Sequence, residues 1–147
     1  MTDKKIRNIF VNGAIPAEFI GQSIKAHSSK TNIGAHSIFL GQVRADEIEG
    51  KKVLEIDYTA HEAMALERMH IIREEIFKKY ELACLHVHHS LGKVKAGEIS
   101  LFVFTSSKHR KAAVSACQEI VERIKSELPV WGQEMLEDES MQWKINQ

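Results

Sequence analysis

A run of four basic residues, Lys108, His109, Arg110 and Lys111, follows two serines, Ser106 and Ser107, where an apolar stretch gives way to a helical pattern. Either serine suits the N-cap, because a hydroxyl can take one of the free N–H groups of a first helical turn. Cations at that end face the positive pole of the helix dipole and cost about a few tenths of a kcal/mol each. An anion reverses the sign, so the free N–H groups, the dipole and the basic side chains together suit a phosphate or carboxylate. A solvated basic helix start is the alternative. Further along the same helix, Ala113, Cys117, Ile120, Ile124 and Leu128 recur at core spacing. Lys125 shares the neighbouring row with Val114, Gln118 and Val121, at the rim of the buried face. A partly desolvated lysine has a lowered pKa and can act as acid, base or nucleophile. It can equally lay its stem over apolar surface.

Two other groupings are weaker. Cys84, His86 and His88 share one face of a predicted strand, with His89 beside them. Zinc can use such residues, but the usual ligand spacings are absent and histidines on a sheet face are more often packed, so no metal site is expected. Serines lie near His109, but no G-x-S-x-G elbow is present to expose a nucleophile.

The elements that must position these groups follow from periodicity. Residues 5–12 read as a first strand, and Pro16 opens a short helix with Phe19, Ile20, Ile24 and His27 on one face. Residues 35–44 form a strand interrupted by Gly41 and ending at Arg44. After a polar turn around Gly50, residues 53–60 alternate, with Leu54, Ile56, Tyr58 and Ala60 on one face. These two strands are expected to pair as an antiparallel hairpin. Residues 61–80 form a second helix with Ala65, Met69, Ile72, Ile76 and Tyr80 buried. Residues 82–91 form a strand ending at a turn on Gly92, and residues 99–105, apolar on both faces, a central strand. Pro129 ends the last helix and a short extended tail follows. Hairpins alternating with helices predict an α+β fold, mainly antiparallel, with helices packed on the sheet.

The chain of 147 residues suits one domain, residues 1–147. Twenty basic and twenty acidic residues cancel, which disfavours a general nucleic-acid binder. No apolar run approaches membrane-spanning length and the N-terminus lacks an apolar signal segment, so a cytoplasmic protein is expected. Cys84 and Cys117, far apart and without CxxC spacing, read as reduced thiols.

Taken together, five stretches resemble the catalytic subunit family of molybdopterin synthase. FLGQVR resembles its F-x-G-x-V-R strand end, and IDYTAHEAMA its L-E-Y-E-A-Y-x-x-M-A. HHSLGKVKAGE is similar to H-R-x-G-x-x-x-x-G-E, SSKHRKAA to S-x-H-R-x-x-A, and IKSELPVWGQE to L-K-x-x-x-P-x-W-K-K-E. The late QWK is similar to the family's ending, and the resemblance runs from about Gly34 onward. It implies a hammerhead-like fold and a sulfurtransferase that needs no bound cofactor. The substrate would be cyclic pyranopterin monophosphate, and the product the dithiolene of molybdopterin. Sulfur would arrive as a thiocarboxylate on the C-terminal Gly-Gly tail of a small ubiquitin-like subunit. Two catalytic subunits would pair, with a small subunit at each end of a heterotetramer. Carried over residue by residue, Arg44, His109 and Arg110 would hold the phosphate and pterin. Lys125 would be the essential lysine, acting by proton transfer or transient covalent capture, and Glu134 would orient the basic groups.

The chain also departs from the family. Gly132 stands where a second, functional lysine is usual, and Gln133 where another basic residue is usual. Ser90 replaces an arginine, His61 a tyrosine and Thr59 a glutamate. Lys93, Lys95 or Lys108 could supply the missing charge. The alternative to an active enzyme is a non-catalytic relative that still binds the small subunit or a pterin phosphate.

Overall fold

The computed structural model describes residues 6–145. In chain order the elements are β1 (Phe10–Asn12), α1 (Ala17–Ala26), β2 (Ala35–Gln42), β3 (Glu47–Ile48), β4 (Lys51–Ala60) and α2 (Glu62–Lys79). Then come β5 (Cys84–Lys95), β6 (Ile99–Ser107), α3 (Arg110–Glu127), β7 (Val130–Leu136) and β8 (Met141–Trp143). The fold is α+β, as expected. One sheet runs β2-β6-β5-β4-β7-β8, with β1 added to β5 and β3 to β4. Every pairing is antiparallel except β1 with β5. The expected first strand is confined to Phe10–Asn12, and its start at Lys5 lies outside the described residues.

Both faces of the central strand β6 are used, as its unbroken apolar run requires. Leu101 and Val103 face α2 and α3, in a core with Leu85, Val87, Met69, Ile72, Ile76, Ile120 and Ile124. Phe102 and Phe104 point the other way, where Ile15, Phe19 and Ile20 cover them. The stripe anticipated for α2 is buried at Ala65, Met69, Ile72 and Ile76. That of α3 is buried at Ala113, Cys117, Ile120 and Ile124, with Ala116 and Val121 added.

Four local expectations need correction. β2 and β4 do not form a hairpin: β6 and β5 lie between them, and β2 pairs only with β6. The turn around Gly50 instead closes the small β3–β4 hairpin, with Glu49 and Gly50 both at positive φ, as a tight two-residue hairpin turn demands. Along β4 the buried set begins at Val53, not Leu54, because the pairing with β7 shifts between Val53 and Glu55. Leu54 is the extra residue and is exposed, while Val53 and Ile56 are buried. Finally, Gly92 does not end its strand. At φ +81° it bends β5, which leaves β6 after His89 and continues beside β4 from Gly92 to Lys95. The chain turns at Gly97 instead, where φ is +91°.

The start of α3 is held from upstream. His109 is the N-cap residue and contributes no side-chain cap bond. Ser107, still in β6, accepts from the Ala113 N–H at 3.1 Å and donates to the His109 carbonyl, while Ser106 contacts the His36 ring at 2.7 Å. Gly34 lets this start lie against β2: a Cβ there would stand 2.2 Å from the Lys108 carbonyl oxygen.

Candidate active site

A cavity of about 580 Å³ opens at the C-terminal end of α3. Its walls are the outgoing end of β2, the inner face of β4 and β7, and the segment through β8. Lys125, Arg44, Glu134, Tyr58, His89 and Lys144 line it, and the exposed indoles of Trp131 and Trp143 border it. Each side chain has a structural reason to be there. Ile124 and Leu128 anchor the last turns of α3 in the core, which leaves Lys125 at the rim. The irregularity between Gly41 and Gln42 ends the regular β2 register just before Arg44, and a Cβ at Gly41 would crowd Leu101 at 3.2 Å. Ile56, Tyr58, Gly132 and Glu134 lie at cross-strand positions of β4 and β7.

The electrostatics are those of a basic nook. Burial lowers the pKa of Lys125, Lys144 and Arg44 push it the same way, and Glu122 opposes them. Lys125 remains exposed as a residue, so the effect belongs to a rim group rather than a sealed one. Arg44 is exposed and held by Asp46, with Nε 3.2 Å from one carboxylate oxygen and Nη2 3.3 Å from the other. Glu134 is buried and accepts from the Gln142 amide at 3.0 Å. Burial pushes the Tyr58 phenol up, the hydrogen bond to Ser100 at 3.2 Å opposes this, and the Glu134 charge adds to the rise.

His89 is the second titratable group of the cavity. Its Nδ1 lies 2.8 Å from the Ser90 carbonyl, which can only accept, so the proton is on Nδ1. Burial lowers the pKa of the ring, the Ser90 carbonyl opposes, and Lys125 adds to the depression. The result is a neutral imidazole whose Nε2 is the basic nitrogen, packed edge-on to Tyr58 with ring centres 5.3 Å apart. An amine and an imidazole, both biased toward their neutral forms beside two further cations, can bind an anion and move a proton.

Arg44, Lys125 and Glu134 are therefore brought together. His109 and Arg110 are not: they sit exposed at the opposite end of α3. Fifteen residues of helix separate Arg110 from Lys125, about 22 Å at 1.5 Å per residue. Of the lysines considered as substitutes for the one missing at Gly132, Lys93 faces Glu55 at 3.9 Å, and neither it nor Lys95 or Lys108 lines the cavity. The second amine is Lys144, whose backbone N–H donates to the Gly132 carbonyl at 2.7 Å. Its place in QWK was the one sequence signal for it, and that triplet carries no spacing that points inward. Tyr58 and His89 were also missed, as members of an alternating strand and of a histidine-rich one.

The histidine-rich face divides in two. His88 packs against Phe19 and Phe102, with ring centres 4.8 and 5.7 Å away. His86 instead meets His27, the C-cap residue of α1, with 3.1 Å between the two Nε2 atoms. The serines just before His109, Ser106 and Ser107, are buried, so neither presents its hydroxyl to a substrate.

Comparison with known proteins bears on this geometry. The family model described as MoaE protein matches residues 16–127. The molybdopterin synthase catalytic subunit of Pyrococcus abyssi is 36% identical over 123 residues, covering 84% of this chain and 82% of that one. The catalytic subunit from Oryza sativa subsp. indica is 40% identical over 113 residues, and that from Drosophila willistoni 39% over 115. In both cases 77% of this chain is covered, which spans only 58% of the rice relative and 31% of the fly one. Among solved structures, molybdopterin synthase from Staphylococcus aureus superposes with a TM-score of 0.80 at 28% identity, covering 93% of this chain and 96% of that one. The complex of subunits 1 and 2 of molybdopterin-converting factor from Helicobacter pylori superposes with a TM-score of 0.78 at 20% identity, a likeness of fold; it covers 91% of this chain and 87% of that one.

Proposed function

The chain belongs to the MoaE protein family, and from that premise we propose that it is the catalytic subunit of a molybdopterin synthase. It transfers sulfur from the thiocarboxylated Gly-Gly tail of a small ubiquitin-like subunit to cyclic pyranopterin monophosphate, building the dithiolene of molybdopterin. The observation that carries this reading is the grouping of Lys125, Arg44 and Lys144 around one cavity large enough for a small ligand.

The phosphate is the natural occupant of the basic rim. Arg44 now holds Asp46 in an exposed pair, worth about 0–1 kcal/mol. Charge-assisted hydrogen bonds to a phosphate are worth about 1.5–3 kcal/mol each, so the substrate wins the exchange. Phosphate also offsets the positive charge that depresses Lys125, and the amine then takes up a proton more readily. Lys125 thus serves as the proton carrier, or as the amine that captures the substrate transiently, while the thiocarboxylate sulfur adds to the substrate carbon; water then cleaves the resulting thioester, leaving the sulfur on the substrate and a carboxylate on the tail. Glu134, fixed by Gln142, orients the basic groups. A Gly-Gly tail has no side chains and spans about 7 Å when extended, so it can thread to the amine between the two indoles.

His109 and Arg110 contribute from a second copy of the chain, in the pairing of catalytic subunits, because their own helix carries them away from their own cavity. A cytoplasmic location is part of this proposal; among the described residues no helix is long and apolar enough to cross a membrane, which is compatible with it. One observation favours a second reading, a relative that binds without turnover: Gly132 packs so closely on Ile56 and Tyr58 that any side chain there would force them to shift. Lys144 answers it by supplying an amine to the same cavity.

Reconstitution with thiocarboxylated small subunit and the cyclic precursor, with product read as its oxidised fluorescent derivative, tests the proposal. Product forms with the unaltered chain and falls by about 10³-fold or more in Lys125→Ala with circular dichroism unchanged. Partner binding without product in a single turnover establishes the second reading instead.

A further inference from the structure

We propose that His27, His86 and Cys84 form a zinc-binding site, separate from the Lys125 cavity and sharing no residue with it. The ligand atoms come from the C-cap of α1 and from alternate positions of β5, and all lie within 4.8 Å of one another. His27 and Cys84 are buried. The two Nε2 atoms stand 3.1 Å apart. Two imidazole nitrogens on a tetrahedral zinc, each about 2.0–2.1 Å from the metal, stand about 3.3 Å apart. A thiolate sulfur about 2.3 Å from the same ion stands about 3.6 Å from each nitrogen. The rings therefore need to part by a few tenths of an ångström, and the sulfur, within 4.8 Å of the nitrogens, to close on them by up to about 1 Å.

The surroundings divide: the charges of Arg73, Arg7 and Lys30 oppose a cation, whereas the hydrogen bonding and packing of the His27 ring favour one. Nδ1 of His27 lies 2.8 Å from the Ser23 carbonyl, which can only accept, so Nε2 of that ring already carries the lone pair. A carbonyl behind the ring is the common means of orienting a zinc-bound histidine. The Phe104 ring forms an apolar wall, 4.9 Å from the His27 ring and 6.2 Å from His86 between centres. Without metal, the His86 ring donates to His27, and the exposed Lys30 ammonium lies 3.2 Å from the Cys84 sulfur. Zinc takes Nε2 of both rings: the His86 proton moves to Nδ1 by tautomerisation, the Cys84 thiol releases its proton to solvent, and Lys30 swings away from the sulfur. The fourth position is left to water or to a small ligand, as in zinc sites with three protein ligands.

Lys30 separates a metal site from a merely packed polar cluster. As a cation beside the sulfur it opposes zinc, so Lys30→Met binds zinc more tightly, whereas a structural cluster has no such dependence. The full chain, stripped with chelator and titrated with Zn²⁺ against a chromophoric competitor, binds one ion per chain. Co²⁺ loading gives a sulfur-to-cobalt charge-transfer band in the near ultraviolet, which Cys84→Ser abolishes. His27→Ala and His86→Ala weaken binding by more than about 100-fold, beyond the loss from a supporting residue. Absence of the charge-transfer band in the unaltered protein, or zinc affinity unchanged across Cys84→Ser and Lys30→Met, overturns the site. None of these readouts involves sulfur transfer, so they stand or fall apart from the proposed activity.

Discussion

Lys125 is a rim lysine whose neighbours are mostly of its own sign. Its pKa is lowered first by burial, then by Lys144 and Arg44, and raised by Glu122. The rate-against-pH profile therefore rises along a limb set below the ordinary lysine value of 10.5. Lys144→Ala removes a repulsive charge and moves that limb to higher pH. Turnover at neutral pH then falls by about 10-fold for every pH unit the limb moves. Glu122→Gln removes an attractive charge and moves the limb the opposite way. Equal movements in one direction for both variants, or none, dissociate the limb from Lys125. Stability carries the matching sign. A lysine with a depressed folded pKa costs stability below that pKa, and the cost fades as pH rises toward 10.5, where the unfolded chain also loses its proton. Because the side chain is part exposed at the rim, Lys125→Met raises neutral-pH stability by less than about 1 kcal/mol. At this scale local periodicity made legible the positions of Lys125 beside a core stripe and Arg44 at a strand end, whereas Glu134 entered only through the family resemblance. Lys144 was not legible, because its inward position depends on the β7–β8 pairing across the Glu137–Ser140 turn.

At the scale of elements, helices were legible and strand partners were not. Helical stripes such as Ala65, Met69, Ile72 and Ile76 are set by neighbours three and four residues away, and they came out as the periodicity predicts. The β2–β4 hairpin failed because closeness in sequence is only a prior for pairing, and two strands from further along the chain are inserted between them. Gly92 failed for the same reason: a glycine at positive φ bends a strand as readily as it ends one, and the partner decides. The pairing of β4 with β7 has a direct consequence at Gly132. A Cβ there would stand 2.7 Å from Cγ2 of Ile56, which is buried among Val43, Val53, Val94 and Leu136 and cannot retreat. Gly132→Ala is expected to cost about 1–3 kcal/mol, a fall in Tm of about 3–10 °C. In a double-mutant cycle with Ile56→Ala the two losses add to less than their sum, because each relieves the other's misfit. Strict additivity, or an unchanged Tm for Gly132→Ala, contradicts this close packing. A lysine introduced at this position therefore carries a packing cost that offsets whatever its charge contributes.

At the scale of the molecule, one chain leaves its basic helix start without a function. Lys108, His109, Arg110 and Lys111 are exposed at the positive pole of α3, with no acidic residue in the first turn. Among the described residues no carboxylate forms an ion pair with Lys108, Arg110 or Lys111. The three charges of Lys108, Arg110 and Lys111 cost about 1 kcal/mol together, a cost that an anion from outside the chain reverses. If the phosphate held at the Lys125 cavity of one copy is also that anion for the α3 start of another, two cavities per pair are each completed across a two-fold axis. Complementation distinguishes this from two self-sufficient sites. Lys125→Ala and Arg110→Ala are each inactive in the composite arrangement. In a mixed pair, one cavity carries both defects and the other carries neither. Refolding or co-expressing the two variants in equal amounts makes about half of the pairs mixed, each with one intact cavity of two, so about one quarter of the unaltered activity returns. A mixture no more active than either variant alone removes Arg110 from the partner's cavity, and with it the assignment of the helix start to substrate binding.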